Sequence, residues 1–508
     1  MRIGIDVGRS TTDGVLVDRE RVLGAVKLPT SGDHLSVLPA VIRALRAATG
    51  FAPDAISAVM LGTRQFLDAV TQARGLVPTA VIRFAVPSPR GLLPLAGWPP
   101  ELAQALGGKH FVLLGGCTAT GGALGPFPTA EFLRALEEID AAGIGDVALS
   151  SAGATVDAGF ERRAKQLIEH HLPRLRVTQS HEVGHVGLIG RENATVLNAS
   201  LRALADRTLT RVSADLAAAG ITAPLYVSQN DGTVMDGEHA RRFPVATFAA
   251  GSANAIRGAG FLSGYQDGVV VDIGNSRTRI GLLRHGYPRT TVDTVRTAGV
   301  HTNSRTPDVR ILGVGGGSSV RGTGTGLRLT PGVHPLPRVL GGSHLTLTDI
   351  AVLAGATQLG DAGRLPGFPG HVAARMLAVA RRRIEDTVAA EHTGPLIAVG
   401  GAGFLVPDRV DGVAEAVLRP EGFAVAGAVG AAVADVGGHV DRIVGSRGQD
   451  VEALTEAACR EAAERAIAAG AAIGSITLTD VDVVPLHHLP QEMTRIRVHA
   501  VGTPGPGR

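Results

Sequence analysis

Two short stretches far apart in the chain follow one pattern, and this repetition constrains the fold more than any other feature. Ile3, Ile5 and Val7 alternate as in a strand, a polar turn follows, and Gly14–Asp18 reads as the return strand of a hairpin. The stretch GVVVDIGNSRTRIGLL, Gly268–Leu283, repeats the strand, the Gly-containing turn and the return strand. Asp6 and Asp272, Gly8 and Gly274, and Thr12 and Thr278 share one offset, 266 positions (272 − 6). Recurrence in a single register predicts a duplicated lobe whose two turns face one cleft.

With 508 residues the chain is too long for a single core, so two or three units are expected. Only 3% of residues are aromatic and 68 are glycine, which predicts a Gly-rich α/β protein with cores of Ala, Val, Leu and Ile. The expected units are 1–185, 186–445 and 446–508, the last a small α+β cap. Between the two loops, apolar residues at Val196, Leu197, Leu201, Leu204, Leu209, Val212 and Leu216 predict a long amphipathic helix over Glu192–Ala219. The small residues of Ala250–Gly264 predict a helix that approaches its neighbours closely. Phe423–Ala434 is too short for a membrane span and reads as a buried helix.

Net charge is +3, and the run Arg381–Arg383 reads as one solvated helix face, so no nucleic-acid partner is expected. Cys117 and Cys459 are far apart and lack metal-ligand spacing, which predicts a reducing, cytoplasmic setting. MRIGIDVG leads directly into a strand pattern, so no leader is expected.

The loops carry what a phosphate site requires. In the first, Asp6, Gly8, Ser10, Thr11, Thr12 and Asp13 supply a carboxylate at the strand end, a glycine for unusual backbone angles, and hydroxyls. In the second, Asp272, Gly274, Asn275, Ser276 and Thr278 supply the same kinds of group. A strand-end carboxylate can hold Mg²⁺ through retained waters. The Gly-rich turns Gly313–Ser319 and Val399–Pro407 each follow an apolar run and read as further walls of a ligand cleft.

Other chemistries lack their signatures. No GxxxxGK[ST] P-loop, complete dinucleotide fingerprint or GxSxG elbow occurs. HEVGH, His181–His185, formally matches the zinc-protease pattern, but its internal glycine and strand-like flanks predict a structural loop instead of a metal-binding helix face. Cys117, in LLGGCTATGG, reads as a small buried hydrophobe.

Taken together, IGIDVGRSTTDGVLVD, SHEVGHVGLIGRENATVLNASL, YVSQNDGTVM, GSANAIRGAGFLSG, VVVDIGNSRTRIG, LGVGGGSSVRG, GAVGAAVADVGGHVDRIV and LPQEMTRIRVHAVG resemble the hydantoinase A / 5-oxoprolinase family, in its shorter form. The resemblance implies duplicated actin-like (ribonuclease H-like) ATPase lobes around a nucleotide cleft. It also implies ATP-dependent opening of a cyclic amide or imide by carbonyl phosphorylation, an oligomeric assembly and a separate hydantoinase B-type subunit. By the same resemblance Asp6 and Asp272 orient Mg²⁺, and Ser10, Thr11, Ser276 and Thr278 contact phosphate. Gly315, Gly316, Gly317, Ser318, Gly400 and Gly401 lie along the nucleotide, with Asp13 a proton acceptor. Glu192, Asn193, Asn198, Asn230 and Asp231 line the substrate side, unless these residues serve as caps and turn formers.

The chain departs from the family's DxGGTxTD loops. Arg9 and Asn275 replace glycine, Arg279 replaces the final aspartate of the second loop, and a GTTHF-like string becomes GTRQF with Gln65. A non-glycine residue restricts the turn, and Arg277 with Arg279 makes the second loop cationic. One charge pair at about 4 Å is worth on the order of 4 kcal/mol at an effective dielectric of 20. These changes leave room for a second reading, a catalytically degenerate nucleotide-binding paralogue acting as a regulatory or scaffolding subunit. A small-molecule kinase on the same fold is supported by analogy alone.

Overall fold

The two repeated stretches fold as hairpins of one design. The computed structural model describes residues 1–30, 34–86, 92–291, 295–321, 328–330, 336–367, 369–389, 394–411, 416–445, 450–487 and 492–506. Strands β1 (Arg2–Val7), β2 (Thr11–Asp18) and β3 (Arg21–Pro29) form a meander, and β1 also pairs in parallel with β4 (Ala58–Gly62). A separate parallel sheet follows, from β5 (Thr79–Val86), β6 (His110–Leu114), β7 (Asp146–Ser151) and β8 (Arg176–Gln179), in the order β6-β5-β7-β8. Next come β9 (Leu225–Ser228) and β10 (Val234–Asp236), which join the first sheet, and the second hairpin of β11 (Gly268–Ile273) and β12 (Thr278–Arg284). Like β1, β11 has one antiparallel neighbour in its hairpin and one parallel neighbour, Leu396–Val399.

The C-terminal segment has the expected α+β composition, but its strands extend the first lobe. Val436–Gly445 pairs with Met493–Gly502, which pairs with Thr477–Pro485, giving a nine-stranded sheet that ends at β3. The helix Val451–Ala468 packs on these strands through Ala458, Ala462 and Ala466. Residues 446–449, at the expected boundary of this segment, lie outside the described residues.

The helix expected at 192–219 spans Leu188–Ala218. Its first half is not amphipathic: every residue from Arg191 to Leu201 is buried, because this part runs between packed elements with no solvent face. Arg191 is held there by donating to Ser180 Oγ, His185 O and Ser151 O.

The helix Ala250–Ser263 meets the buried helix Ala426–Ala432 at backbone contact. A Cβ at Gly258 would lie 1.9 Å from Ala426 O, and one at Gly430 would lie 1.9 Å from Asn254 O. Small residues are required because main chain, which cannot swing aside, fills the space. Gly430→Ala is expected to destabilise the protein by about 1–3 kcal/mol. An unchanged thermal denaturation midpoint would show that the crossing is looser than described.

Candidate nucleotide-phosphate site

Both turns close by the same hydrogen bond, Gly8 N to Thr11 O at 2.9 Å and Gly274 N to Arg277 O at 3.0 Å. The expectation of unusual glycine angles is corrected here, since neither Gly8 nor Gly274 is among the positive-φ residues. What Gly8 supplies is room: a Cβ there would lie 2.6 Å from Thr11 O. Arg9 and Asn275 are likewise absent from the positive-φ set, so these non-glycine residues sit without backbone strain.

The turns meet. Asn275 Nδ2 donates to Ser10 Oγ at 3.1 Å, joining residues 265 positions apart. Asp6 and Asp13 face each other across the β1–β2 ladder, as Asp272 and Arg279 do across β11–β12. Lys27, opposite Asp13 on β3, places Nζ 2.6 Å from both carboxylate oxygens of Asp13. Arg279 Nη1 donates to Asp272 Oδ2 at 3.1 Å.

Burial, together with the charges of Asp13 and Asp272, raises the pKa of Asp6 to about 7, against the smaller pull of Lys27 and Arg279. Burial also raises Asp13 and Asp272, each partly offset by its own cation. Three carboxylates therefore share a region with two cations, and Asp6 is left with the least compensation.

Glycines make the space these carboxylates occupy. A Cβ at Gly62 would lie 2.7 Å from both Asp6 Oδ1 and Asn254 Nδ2, and one at Gly427 would lie 2.4 Å from Asp6 Oδ2. Gly400, at φ +87°, abuts Asp272 Oδ1 at 2.4 Å in the same sense. Lys27, Gly62, Asn254 and Gly427 were missed from the sequence. The cross-strand pairing of Asp13 with Lys27 was the one local signal, while the rest depends on contacts distant in the chain.

Several expected phosphate ligands are already engaged. Thr12 and Thr278 are fully buried, with Thr12 Oγ1 2.8 Å from Thr30 Oγ1 and Thr278 Oγ1 donating to Val314 O at 2.8 Å. Gly316 N and Gly317 N donate to the carbonyls of Gly274 and Asn275, and Ser318 Oγ accepts from Gly315 N. The 315–318 turn thus braces the second loop with its own N–H groups. Ser10, Thr11 and Ser276 stay partly accessible, and Gly401 is exposed.

The expected substrate-side residues separate into two places. Glu192 accepts from Arg83 at 2.7 and 2.5 Å and from Ser150 Oγ at 2.8 Å. Asn193 accepts from Trp98 Nε1 and donates to His301 O, while Asn198 links Arg242 O to Val245 N. These three do the bracing that their residue types do routinely. Asn230 bonds Val245 O and Ala249 N, and Asp231 accepts from Thr233, yet both also line a cavity beside His185. In HEVGH, His181 pairs with Glu161 at 2.7 Å and His185 with Asp441 at 3.0 Å, so the two imidazoles turn to different carboxylates.

Lys27→Met would remove the ion-pair partner of the buried Asp13 carboxylate. It is expected to lower stability by about 1–3 kcal/mol at pH 8 and by less at pH 5, because burial raises Asp13 and the loss of its cation further favours the protonated form. Denaturant titrations at the two pH values check this.

The hydantoinase/oxoprolinase family model matches residues 191–455, and the model of that family's N-terminal region matches residues 2–172. The chain belongs to the hydantoinase/oxoprolinase family. No curated protein matches it. Among solved structures, it resembles the ATP-dependent caprolactamase of Pseudomonas jessenii at 18% identity and TM-score 0.73, over 99% of this chain and 87% of the other. It also resembles acetone carboxylase in its nucleotide-free structure, at 16% identity and TM-score 0.68, over 100% of this chain and 88% of the other. These likenesses show the fold, an α/β chain with duplicated actin-like (ribonuclease H-like) lobes. Among the described residues, no helix is long and apolar enough to cross a membrane.

Proposed function

We propose that this family member is the ATP-using subunit of a cytoplasmic hydrolase that opens a small cyclic amide or imide, of hydantoin, 5-oxoproline or lactam type. One observation carries the reading: two carboxylate-headed turns of identical design touch through Asn275 and Ser10, so a triphosphate entering there has one turn on each side. The solved neighbours that share the fold are described as ATP-dependent. The proposed assembly is an oligomer with a hydantoinase B-type subunit, without nucleic acid or membrane.

The residues fit Mg²⁺, because burial and the charges of Asp13 and Asp272 raise Asp6 to about 7 against the smaller pull of Lys27 and Arg279, and a divalent cation would offset all three. Asp6 and Asp272 would hold the ion through its waters, and it would neutralise charge on the transferring phosphoryl group. Ser10, Thr11, Asn275 and Ser276 orient the phosphates, and the Asn275–Ser10 bond opens to admit them. Arg279, no longer an aspartate, neutralises Asp272 or turns toward phosphate. An amide carbonyl resists water through resonance, and its phosphorylated oxygen is a better leaving group, which is why such a reaction would consume ATP.

The salt bridge from Arg279 to Asp272 favours a second reading, a nucleotide-binding paralogue without turnover that serves as a regulatory or scaffolding subunit. Calorimetric titration of the full chain with ATP and Mg²⁺, followed by ADP-release assays with cyclic amides in the presence of the hydantoinase B-type subunit, separates the two. Binding with release supports the hydrolase, and binding without release, regained in Arg279→Asp, supports the paralogue. No binding removes both.

A further inference from the structure

Two adjoining cavities, of about 130 and 70 Å³, share His185 and His439 in their walls. The larger reaches the loop Ala154–Ala158 beyond β7, at the carboxyl end of the parallel sheet, where ligands of open α/β sheets commonly bind. The smaller is lined by Asn230, Asp231, Ser304 and Arg305. It adjoins the nucleotide side through β9: Ser228 Oγ accepts from Asn254 Nδ2 at 3.1 Å, Asn254 shares the Gly62 niche with Asp6, and the chain continues into Asn230 and Asp231.

His185 is nearly inaccessible, and its Nδ1 lies 3.0 Å from Asp441 Oδ2. Asp441 also receives Arg495 Nε at 2.8 Å and Nη2 at 2.7 Å, which holds it as a carboxylate. A carboxylate only accepts, so Nδ1 carries the hydrogen and Nε2 presents a lone pair. Nε2 has no partner, nor do Ser304 Oγ and Arg305 Nε, all buried. Three unpaired polar atoms around one cavity are costly unless a ligand completes them. Burial holds His185 below the usual imidazole range against the pull of Asp441, with Arg305 and Arg495 acting in the same direction as burial. His439 is held low for the same reason, so both rings are neutral at pH 7.

We propose that this double cavity holds the cyclic amide or imide, that Ser304 and Arg305 grip an oxygen other than the phosphorylated one, and that His185, oriented by Asp441, is the proton acceptor for the attacking water. This rests on the ring-opening reading above. As the water oxygen bonds the activated carbonyl carbon, its proton passes to His185 Nε2. The proton then passes to the ring nitrogen as the C–N bond breaks, which leaves imidazole neutral again and the former carbonyl carbon as an acyl phosphate, and a second water cleaves that to carboxylate and inorganic phosphate. The second grip selects rings that carry another oxygen, an imide carbonyl or a carboxylate, over a plain lactam.

The test titrates the full chain, without nucleotide, with hydantoin, 5-oxoproline and 2-pyrrolidinone. At least one of the first two is expected to bind about tenfold more tightly than 2-pyrrolidinone, and Ser304→Ala and Arg305→Met are each expected to weaken it about tenfold. Ser304 Oγ has no bond to lose, so Ser304→Ala should melt no lower than wild type. His185→Gln should keep probe affinity within about threefold yet lose probe-stimulated ADP release, and Asp441→Asn should lower the release rate and move its pH profile at unchanged probe affinity. Equal affinity for all three probes, no binding of any, binding that survives both Ser304→Ala and Arg305→Met, or undiminished release by His185→Gln would each overturn the proposal. Probe binding in a chain that binds no ATP would remove the ring-opening reading and its proton-transfer step, but not the cavity as a binding site.

Discussion

Asp6→Asn is expected to abolish ATP turnover, by more than about a hundredfold, and at the same time to raise the melting temperature at pH 8. Both outcomes come from one carboxylate placed where ionising is unfavourable. Its folded pKa of about 7 lies above the value near 3.9 of an unfolded aspartate. A folded-state pKa raised in this way contributes stability that is complete below about pH 4, declines as pH rises, and is gone above pH 7. At pH 8 the wild type therefore carries a penalty on the order of 2–4 kcal/mol that the uncharged, isosteric Asn does not. The variant and wild type should converge in stability as the pH approaches 4. Melting curves from pH 4 to 8, with an ATPase assay on the same samples, test both halves. A variant that still turned over ATP at the wild-type rate would remove Asp6 from the proposed metal position.

Arg83→Met is expected to destabilise the protein by about 3–5 kcal/mol without any direct effect on nucleotide affinity. Arg83 and Glu192 are 6% and 1% exposed, and Ser150 completes the shell around the carboxylate. Removing the guanidinium leaves the buried Glu192 carboxylate with the Ser150 hydroxyl and only the longer-range field of Arg191 to offset its charge. The double substitution Arg83→Met with Glu192→Met should recover much of the loss, because the penalty belongs to the orphaned partner more than to the absent bond. Chemical denaturation of the two single variants and the double variant measures the coupling. A single variant within about 1 kcal/mol of wild type would mean that solvent reaches Glu192.

The parts of this molecule written into short windows of sequence were readable. Alternation marked β1, β2, β11 and β12, the shared offset marked the duplication, and small residues marked the close crossing of Ala250–Ser263 on Ala426–Ala432. What depended on distant chain segments was not. Nothing local says that Asp441 turns to His185, that Glu192 meets Arg83, or that Asn254 and Gly427 flank Asp6. The long helix looked amphipathic because its polar residues were assumed to face water, whereas Glu192, Asn193 and Asn198 find protein partners instead. The glycine expectation failed for a similar reason: residue type signals tight quarters as often as it signals a rare dihedral angle.

The order of strands in the large sheet has a consequence for how the molecule is made on the ribosome. Its central strands come from the beginning and the middle of the chain, but the strands beyond β10 come from residues 436–502, and Tyr226 Oη hydrogen-bonds the carbonyls of Gly470 and Gly505. The β11–β12 hairpin and its parallel neighbour are complete once residue 399 has emerged, well before this. The later-encoded lobe should thus be able to settle first, while the lobe that starts the chain waits as an unfinished sheet with a bare edge, the stage at which a nascent polypeptide most needs a chaperone.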